Sequence, residues 1–297
     1  MRKEELIELL KPYGQEHLVK FWDELNGAER EILLNEIITL DFIELNATFK
    51  RVKAEMNEEN KQIDALMTPV PNELKGSYSK SSKSQLQAYE TEGFKAIANG
   101  EVAVVLLAGG QGTRLGVSYP KGMYSVDLPS KKTLFQIQAE RLLRVKELAS
   151  TKNQSKTASL PWYIMTSAPT YESTVEYFRK NNYFGLSSND VIFFEQGTSP
   201  CFSYDGRIIL DRKNKISRAP DGNGGLYKAL LKEGILDDMA TKGIKYVHIY
   251  CVDNILVKMA DPIFTGFCIT KNANCGSKVN EKLKLIFHGK FICSILF

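Results

Sequence analysis

The chain has 297 residues, 43% of them hydrophobic and 25% charged, with a formal net charge of +4. That length holds one large domain or a large and a small one, and the composition is ordinary for a globular protein. The charge is spread along the chain, which argues against nucleic acid as a partner, and no stretch reaches the roughly 18 apolar residues of a membrane span.

Residues 1 to about 68 read as helical, because Leu6, Leu9 and Leu10, then Leu18, Phe21, Trp22 and Leu25, then Leu33, Ile37 and Ile38 recur at helical spacing. Pro69-Val70-Pro71 ends that stretch, and Gly76 to Ser84, rich in Ser and Lys, reads as a loop or linker, a solvated connection without a function of its own. A helix over about Gln85 to Asn99 leads into an apolar run, Val102 to Leu107, expected as a buried strand. Helix and strand patterns then alternate as in an α/β sheet. Helices are expected at Thr133 to Ala149, Tyr171 to Asn181 and Leu226 to Glu233, and strands at Trp162 to Thr166, Val191 to Phe194 and Tyr246 to Val252. No internal repeat is present.

The five cysteines form no CxxC pair, and the three histidines (His17, His248 and His288) are too scattered for a zinc pattern. Unpaired cysteines in a chain of this size point to a reduced, cytoplasmic protein. The start, Met1-Arg2-Lys3-Glu4-Glu5-Leu6, is too charged for a secretory signal.

The most informative segment is Leu106-Leu107-Ala108-Gly109-Gly110-Gln111-Gly112-Thr113-Arg114-Leu115-Gly116, followed by Pro120-Lys121-Gly122-Met123. A buried strand running into glycines is where an α/β sheet offers backbone N–H groups to a phosphate. Arg114 and Lys121 add positive charge beside it. The spacing excludes two common phosphate loops. Gly110, Gly112 and Gly116 give G-x-G-x-x-x-G rather than the dinucleotide G-x-G-x-x-G, and Lys121 is followed by Gly122 rather than the Ser or Thr of a Walker A loop. Without a ligand, the segment reads as a tight strand-to-helix turn, with Arg114 on a helix surface and Lys121 a solvated loop lysine.

This loop resembles that of the eukaryotic UDP-N-acetylhexosamine pyrophosphorylases, which reads L-A-G-G-Q-G-T-R-L-G with P-K-G-M-Y after it. Five further blocks carry the resemblance in family order, to about Lys282: Lys132-Thr133-Leu134-Phe135-Gln136, Trp162 to Ser167, Phe193-Phe194-Glu195-Gln196-Gly197, Ala219 to Gly225 and Tyr250-Cys251-Val252-Asp253-Asn254. The resemblance implies an α/β, Rossmann-like nucleotidyltransferase: a mixed, mainly parallel sheet with helices on both faces, preceded by an N-terminal helical region. The boundaries expected are 1–95 for that region, 96–282 for the nucleotidyltransferase domain and 283–297 for a divergent tail.

The activity so implied joins UTP and N-acetylglucosamine 1-phosphate into UDP-N-acetylglucosamine and diphosphate. Such a transfer needs two anions aligned and their charge neutralised. By resemblance Arg114 and Lys121 are catalytic, on the triphosphate and the α-phosphate region. Leu107, Ala108, Gly109, Gly110, Gly112, Gln196 and Gly222 contact UTP, with Gln196 reading the uracil edge. Asn223 contacts the sugar phosphate, and Asp253 holds a Mg²⁺. The related UDP-glucose enzymes carry a histidine where Asn223 stands, which favours an N-acetylhexosamine. The ligand-free alternatives are an Asn-Gly turn at Asn223 and a turn-capping Asp253.

After about Val279 the sequence leaves the family pattern and ends in an apolar stretch, Leu283 to Phe297, interrupted by Lys290 and without a clear helical or strand period. The sheet is therefore expected to be incomplete at its C-terminal end, with an edge and apolar helix faces uncovered. An active enzyme and a non-catalytic chain that binds UTP or a longer partner both fit this pattern. Preference for N-acetylglucosamine or N-acetylgalactosamine phosphate, and a homo-oligomeric state, stay open.

Overall fold

The computed structural model describes residues 1–57, 68–154, 159–279 and 294–296. Its helices in chain order are α1 (Lys3–Leu10), α2 (Gly27–Ile38), α3 (Phe42–Asn57), α4 (Lys83–Ala98), α5 (Leu134–Asn153), α6 (Tyr171–Lys180), α7 (Gly225–Lys232), α8 (Ile235–Thr241) and α9 (Pro262–Thr270). The strands are β1 (Val102–Leu107), β2 (Trp162–Thr166), β3 (Val191–Glu195), β4 (Thr198–Pro200), β5 (Leu210–Arg212), β6 (Lys215–Ile216), β7 (Arg218–Pro220), β8 (Tyr246–Cys251), β9 (Gly276–Lys278) and β10 (Ser294–Leu296). They form two compact units: Met1–Pro69 with Thr198–Asp221, and Val70–Gly197 with Gly222–Phe297.

In the first unit α2 starts in a capping box, where Glu29 N–H donates to Asn26 Oδ1 at 3.0 Å and Asn26 N–H donates to the Glu29 carboxylate at 2.9 Å. Leu6, Leu10, Leu18, Trp22, Leu33 and Ile37 are buried with Ile208 and Ile216. The segment between α1 and α2 is not α-helical as its spacing suggests. Pro12 and a left-handed Gly14 (φ 68°) break it into three 3₁₀ turns, while Leu9 and Ile38 face solvent. Two antiparallel pairs, β4–β7 and β5–β6, complete the unit. Buried Gln15 ties the hairpin residues to the helices: its Nε2 donates to Gly206 O at 2.7 Å and its Oε1 accepts from Ile208 N–H at 2.9 Å.

The second unit is built on a six-stranded sheet, ordered β3-β2-β1-β8-β10-β9. The first four strands are parallel, and β10 is antiparallel to both β8 and β9. Alternation along β1 sends Val102, Val104 and Leu106 to one face and Ala103 and Val105 to the other. Phe94, Phe135, Ala139 and Leu142 from α4 and α5 cover the first face, and Leu226, Ala229, Leu230 and Met239 from α7 and α8 cover the second. A parallel sheet sandwiched in this way accounts for the unbroken apolar runs in the sequence. Full burial of each large side chain, as at Trp162 and Leu106, contributes about 1.5–3 kcal/mol.

Residues 70–95 lie in the compact unit that holds the sheet, and α4 (Lys83–Ala98) continues the helical stretch up to β1. The stretch Gly76 to Ser84 is docked rather than a free linker. Tyr78 Oη donates to buried Asp261 at 2.6 Å, and Lys278 pairs with the same carboxylate. Burial raises the Asp261 pKa, yet the bonds from Lys278 and Tyr78 outweigh it and hold the carboxyl below its usual range. Most of the apolar tail, 283–293 and 297, lies outside the described residues; its remaining three residues form β10.

Candidate functional site

Strand order fixes where a ligand fits. From β1 the chain steps to β2 and β3 on one side, then places β8 on the other side of β1. Loops leaving β1 and β8 emerge side by side at the carboxyl ends of the strands, where the ligand crevice of an α/β sheet lies. Leu107 ends β1 in register with Met165 of β2 and Cys251 of β8. The residues singled out after Leu107, Glu195 and Cys251 thus share one edge of the sheet.

Leu107 is half-buried and Ala108 buried, its N–H donating to Met165 O at 2.8 Å. The glycine loop then folds back on itself. Gly112 N–H donates to Tyr119 O at 3.0 Å and Lys121 N–H to Gly110 O at 3.2 Å, so Gln111 bridges Pro120. This closure returns Lys121 to the end of β1. Gly110 is exposed and Gly112 buried. Thr113–Leu115 is a single 3₁₀ turn rather than the start of a helix. Arg114, on that turn, is exposed and makes no hydrogen bond or ion pair with the described residues.

Lys121 crosses the crevice. Its Nζ lies 3.6 Å from Asp253 Oδ2, with the lysine side chain 25% and the carboxylate 64% exposed. Cys251, two residues before Asp253, has its thiol pushed up by burial and by that carboxylate, with Lys121 opposing. Gln196, past the end of β3, has its N–H bonded to Thr166 O at 2.9 Å. Its side-chain amide lies flat against Gly109, where a Cβ would come 2.8 Å from Gln196 Oε1. Gly109 and Gln196 are therefore one constellation, and Lys121 and Asp253 another, at adjacent strand ends.

Gly222 and Asn223 precede α7 and are exposed. Gly222 is left-handed (φ 77°) and its carbonyl accepts from Gly225 N–H at 3.1 Å, so the Asn-Gly turn forms. No hydrogen bond among the described residues joins either residue to the glycine loop. Asp253 as a metal ligand meets a similar limit. Among the described residues no three His, Cys, Asp or Glu side chains cluster. One exposed carboxylate fits Mg²⁺ where substrate phosphates supply the remaining oxygens, as this ion commonly requires.

Residues 44–295 match the sequence pattern of the family described as UTP--glucose-1-phosphate uridylyltransferase. The chain belongs to this family. It is 53% identical over 272 residues to UDP-N-acetylhexosamine pyrophosphorylase-like protein 1 of Xenopus tropicalis, covering 91% of this chain and 53% of that one. To UDP-N-acetylglucosamine diphosphorylase 2 of Arabidopsis thaliana it is 45% identical over 281 residues, covering 93% and 55%. The chain thus spans about half the length of the curated relatives it matches. Its fold matches the crystal structure of the uridine diphosphate N-acetylglucosamine pyrophosphorylase from Trypanosoma brucei in complex with inhibitor. That match has a TM-score of 0.77 at 27% identity and covers 100% of this chain and 66% of the other.

For this member of the family, sequence patterns missed the residues that hold the site from behind. Ser167, at the end of β2, donates to Gly109 O at 2.7 Å and bonds Thr170 Oγ1 at 2.9 Å. Gln138 and Arg141 of α5 bond to the loop after β8. Gln138 carried a signal: a glutamine on the apolar face that also bears Phe135, Ala139 and Leu142 is a buried polar group in need of partners.

Proposed function

We propose that this chain serves uridylyl transfer: UTP and N-acetyl-α-D-glucosamine 1-phosphate give UDP-N-acetylglucosamine and diphosphate. The observation that carries the reading is the Lys121–Asp253 pair, 3.6 Å apart across the crevice between β1 and β8. A cation and a carboxylate side by side at that edge suit a triphosphate with its divalent metal. The names of the Xenopus and Arabidopsis relatives support the substrate class.

In this reading a phosphate oxygen of the sugar attacks the α-phosphorus of UTP. A new P–O bond forms, the bond from the α-phosphorus to the bridging oxygen breaks, and its electron pair leaves with diphosphate. Two polyanions repel, so the chain's contribution is alignment and positive charge. Lys121 serves the α-phosphate as a point charge. Arg114, exposed and without a partner among the described residues, is free to fork onto two oxygens of the departing diphosphate. Backbone N–H groups of the glycine loop face the remaining phosphates, and Gln196 offers its amide to the uracil edge from its seat on Gly109. Mg²⁺, held by Asp253 together with phosphate oxygens, supplies further charge neutralisation when bound. Asn223 offers a donor and an acceptor to the acetamido group. Among the described residues Cys201, Cys251, Cys268 and Cys275 are free thiols, which suits a cytoplasmic setting.

Diphosphate release by the purified chain, given Mg²⁺, UTP and N-acetylglucosamine 1-phosphate, tests this reading. Release is expected, and Arg114→Ala should slow it by about 10²–10³-fold. A chain whose melting temperature rises with UTP but which releases no diphosphate would be a nucleotide binder and not the enzyme.

A further inference from the structure

Residues 252–257 leave β8 and carry Asp253, yet apolar packing pins only their two ends. Val252 and Val257 are buried, whereas Ile255 and Leu256 are 43% and 76% exposed. Inside the segment, Asn254 N–H donates to Cys251 O, Ile255 N–H to Asp253 O and Val257 N–H to Asn254 O, at 3.1 to 3.3 Å. Such short-range bonds shape a turn but do not decide where it lies over the sheet.

One helix takes three of the four remaining carbonyls. Gln138 Nε2 donates to Val252 O at 3.4 Å, and Arg141 Nη1 donates to Ile255 O at 2.6 Å and Val257 O at 3.3 Å. Gln138 is buried and is itself oriented by Tyr250 Oη, which donates to its Oε1 at 3.1 Å. The two residues are three apart, so both project from one face of α5. One turn earlier on α5, the Phe135 ring packs on Gly122, where a Cβ would come within 2.1 Å of it, and Gly122 adjoins Lys121. A single helix thus holds both sides of the crevice.

We propose that Gln138 and Arg141 are positioning residues that fix the Asp253 loop to α5 and so set the separation between Asp253 and Lys121. The inference rests on the reading of Asp253 as part of a nucleotide site only for its functional consequence; the mechanical part stands alone. The guanidinium is suited to the task because it presents several N–H donors on a rigid plane, and lysine presents a rotating point charge.

Amide hydrogen exchange on the full 297-residue chain without ligand tests the mechanical part. In Arg141→Ala, exchange of the amides of 252–258 should rise about fivefold or more while β1 amides keep their rate, and Arg141→Lys should recover part of the protection. Gln138→Leu, which keeps the buried volume, should give a rise in the same segment. Unchanged exchange at 252–258, or a rise shared equally by β1, would overturn the proposal. For the functional part, Arg141→Ala should weaken UTP binding several-fold in Mg²⁺ and leave it unchanged in a metal chelator; equal weakening in both would reject a role through Asp253. If the native chain binds no UTP while exchange responds as described, the positioning role stands and the uridylyltransfer reading fails.

Discussion

Gly122 has no room for a side chain. A Cβ there would lie 2.1 Å from the ring of Phe135, which is fully buried and cannot swing away. Gly122→Ala should therefore destabilise the chain by about 1–3 kcal/mol through overpacking, read as a lower urea midpoint. An unchanged midpoint would show that the ring yields. At this scale much of the site was open to sequence reading. Strand, glycines, Lys121 and Asp253 came to one edge because α/β topology puts the ends of parallel strands together. The pairing of Gln196 with Gly109 was not legible, since the two positions are 87 residues apart and meet only through the β2–β3 register. Ser167 was hidden for the same reason.

At the scale of elements, the sheet strands and long helices of the second unit were legible because burial on both faces writes continuous apolar runs. Thr133 capping α5, with Gln136 N–H donating to it at 3.3 Å, marks its start. The hairpins over 198–220 left no pattern, because strands of two or three residues are too short to show a period. Docking of Tyr78 onto Asp261 was equally invisible, being a contact between elements 183 residues apart.

Strand β8 carries a consequence for pH. His248 is buried, its Nδ1 accepts from Ala260 N–H at 2.9 Å, and its Nε2 has no partner among the described residues. Burial lowers its pKa to about 4 from 6.5; Asp261 pulls it up and Lys278 pushes it down. The unfolded chain therefore binds the proton more readily. This contribution to stability is complete above pH 6.5 and is lost as pH falls towards 4, by about 3 kcal/mol in all. In His248→Asn, whose amide oxygen can still accept from Ala260, the loss between pH 7 and pH 4.5 should be smaller than in the native chain. Equal losses in the two proteins would rule out His248 as the source.

Over the whole molecule, the two units divide the chain differently from its sequence pattern. Residues 198–221 join the N-terminal helices, although they follow one family block of the nucleotide unit and take in the start of the next, Ala219 to Asp221. Such a division depends on contacts distant in sequence, here Gln15 reaching Gly206 and Ile208. At the other sheet end, Ser294–Leu296 pairs with β8 at Ile249 and His248 and with β9 throughout. No helix among the described residues is long and apolar enough to cross a membrane. The central claim concerns the edge between β1 and β8, where this family member is proposed to hold a uridine triphosphate. Calorimetric titration of the chain with UTP in Mg²⁺ tests it most directly. One saturable site is predicted, weakened at least about tenfold by Lys121→Ala and unaffected by Lys131→Ala, an exposed control. Absence of binding, or equal affinity in Lys121→Ala and the native chain, would contradict it.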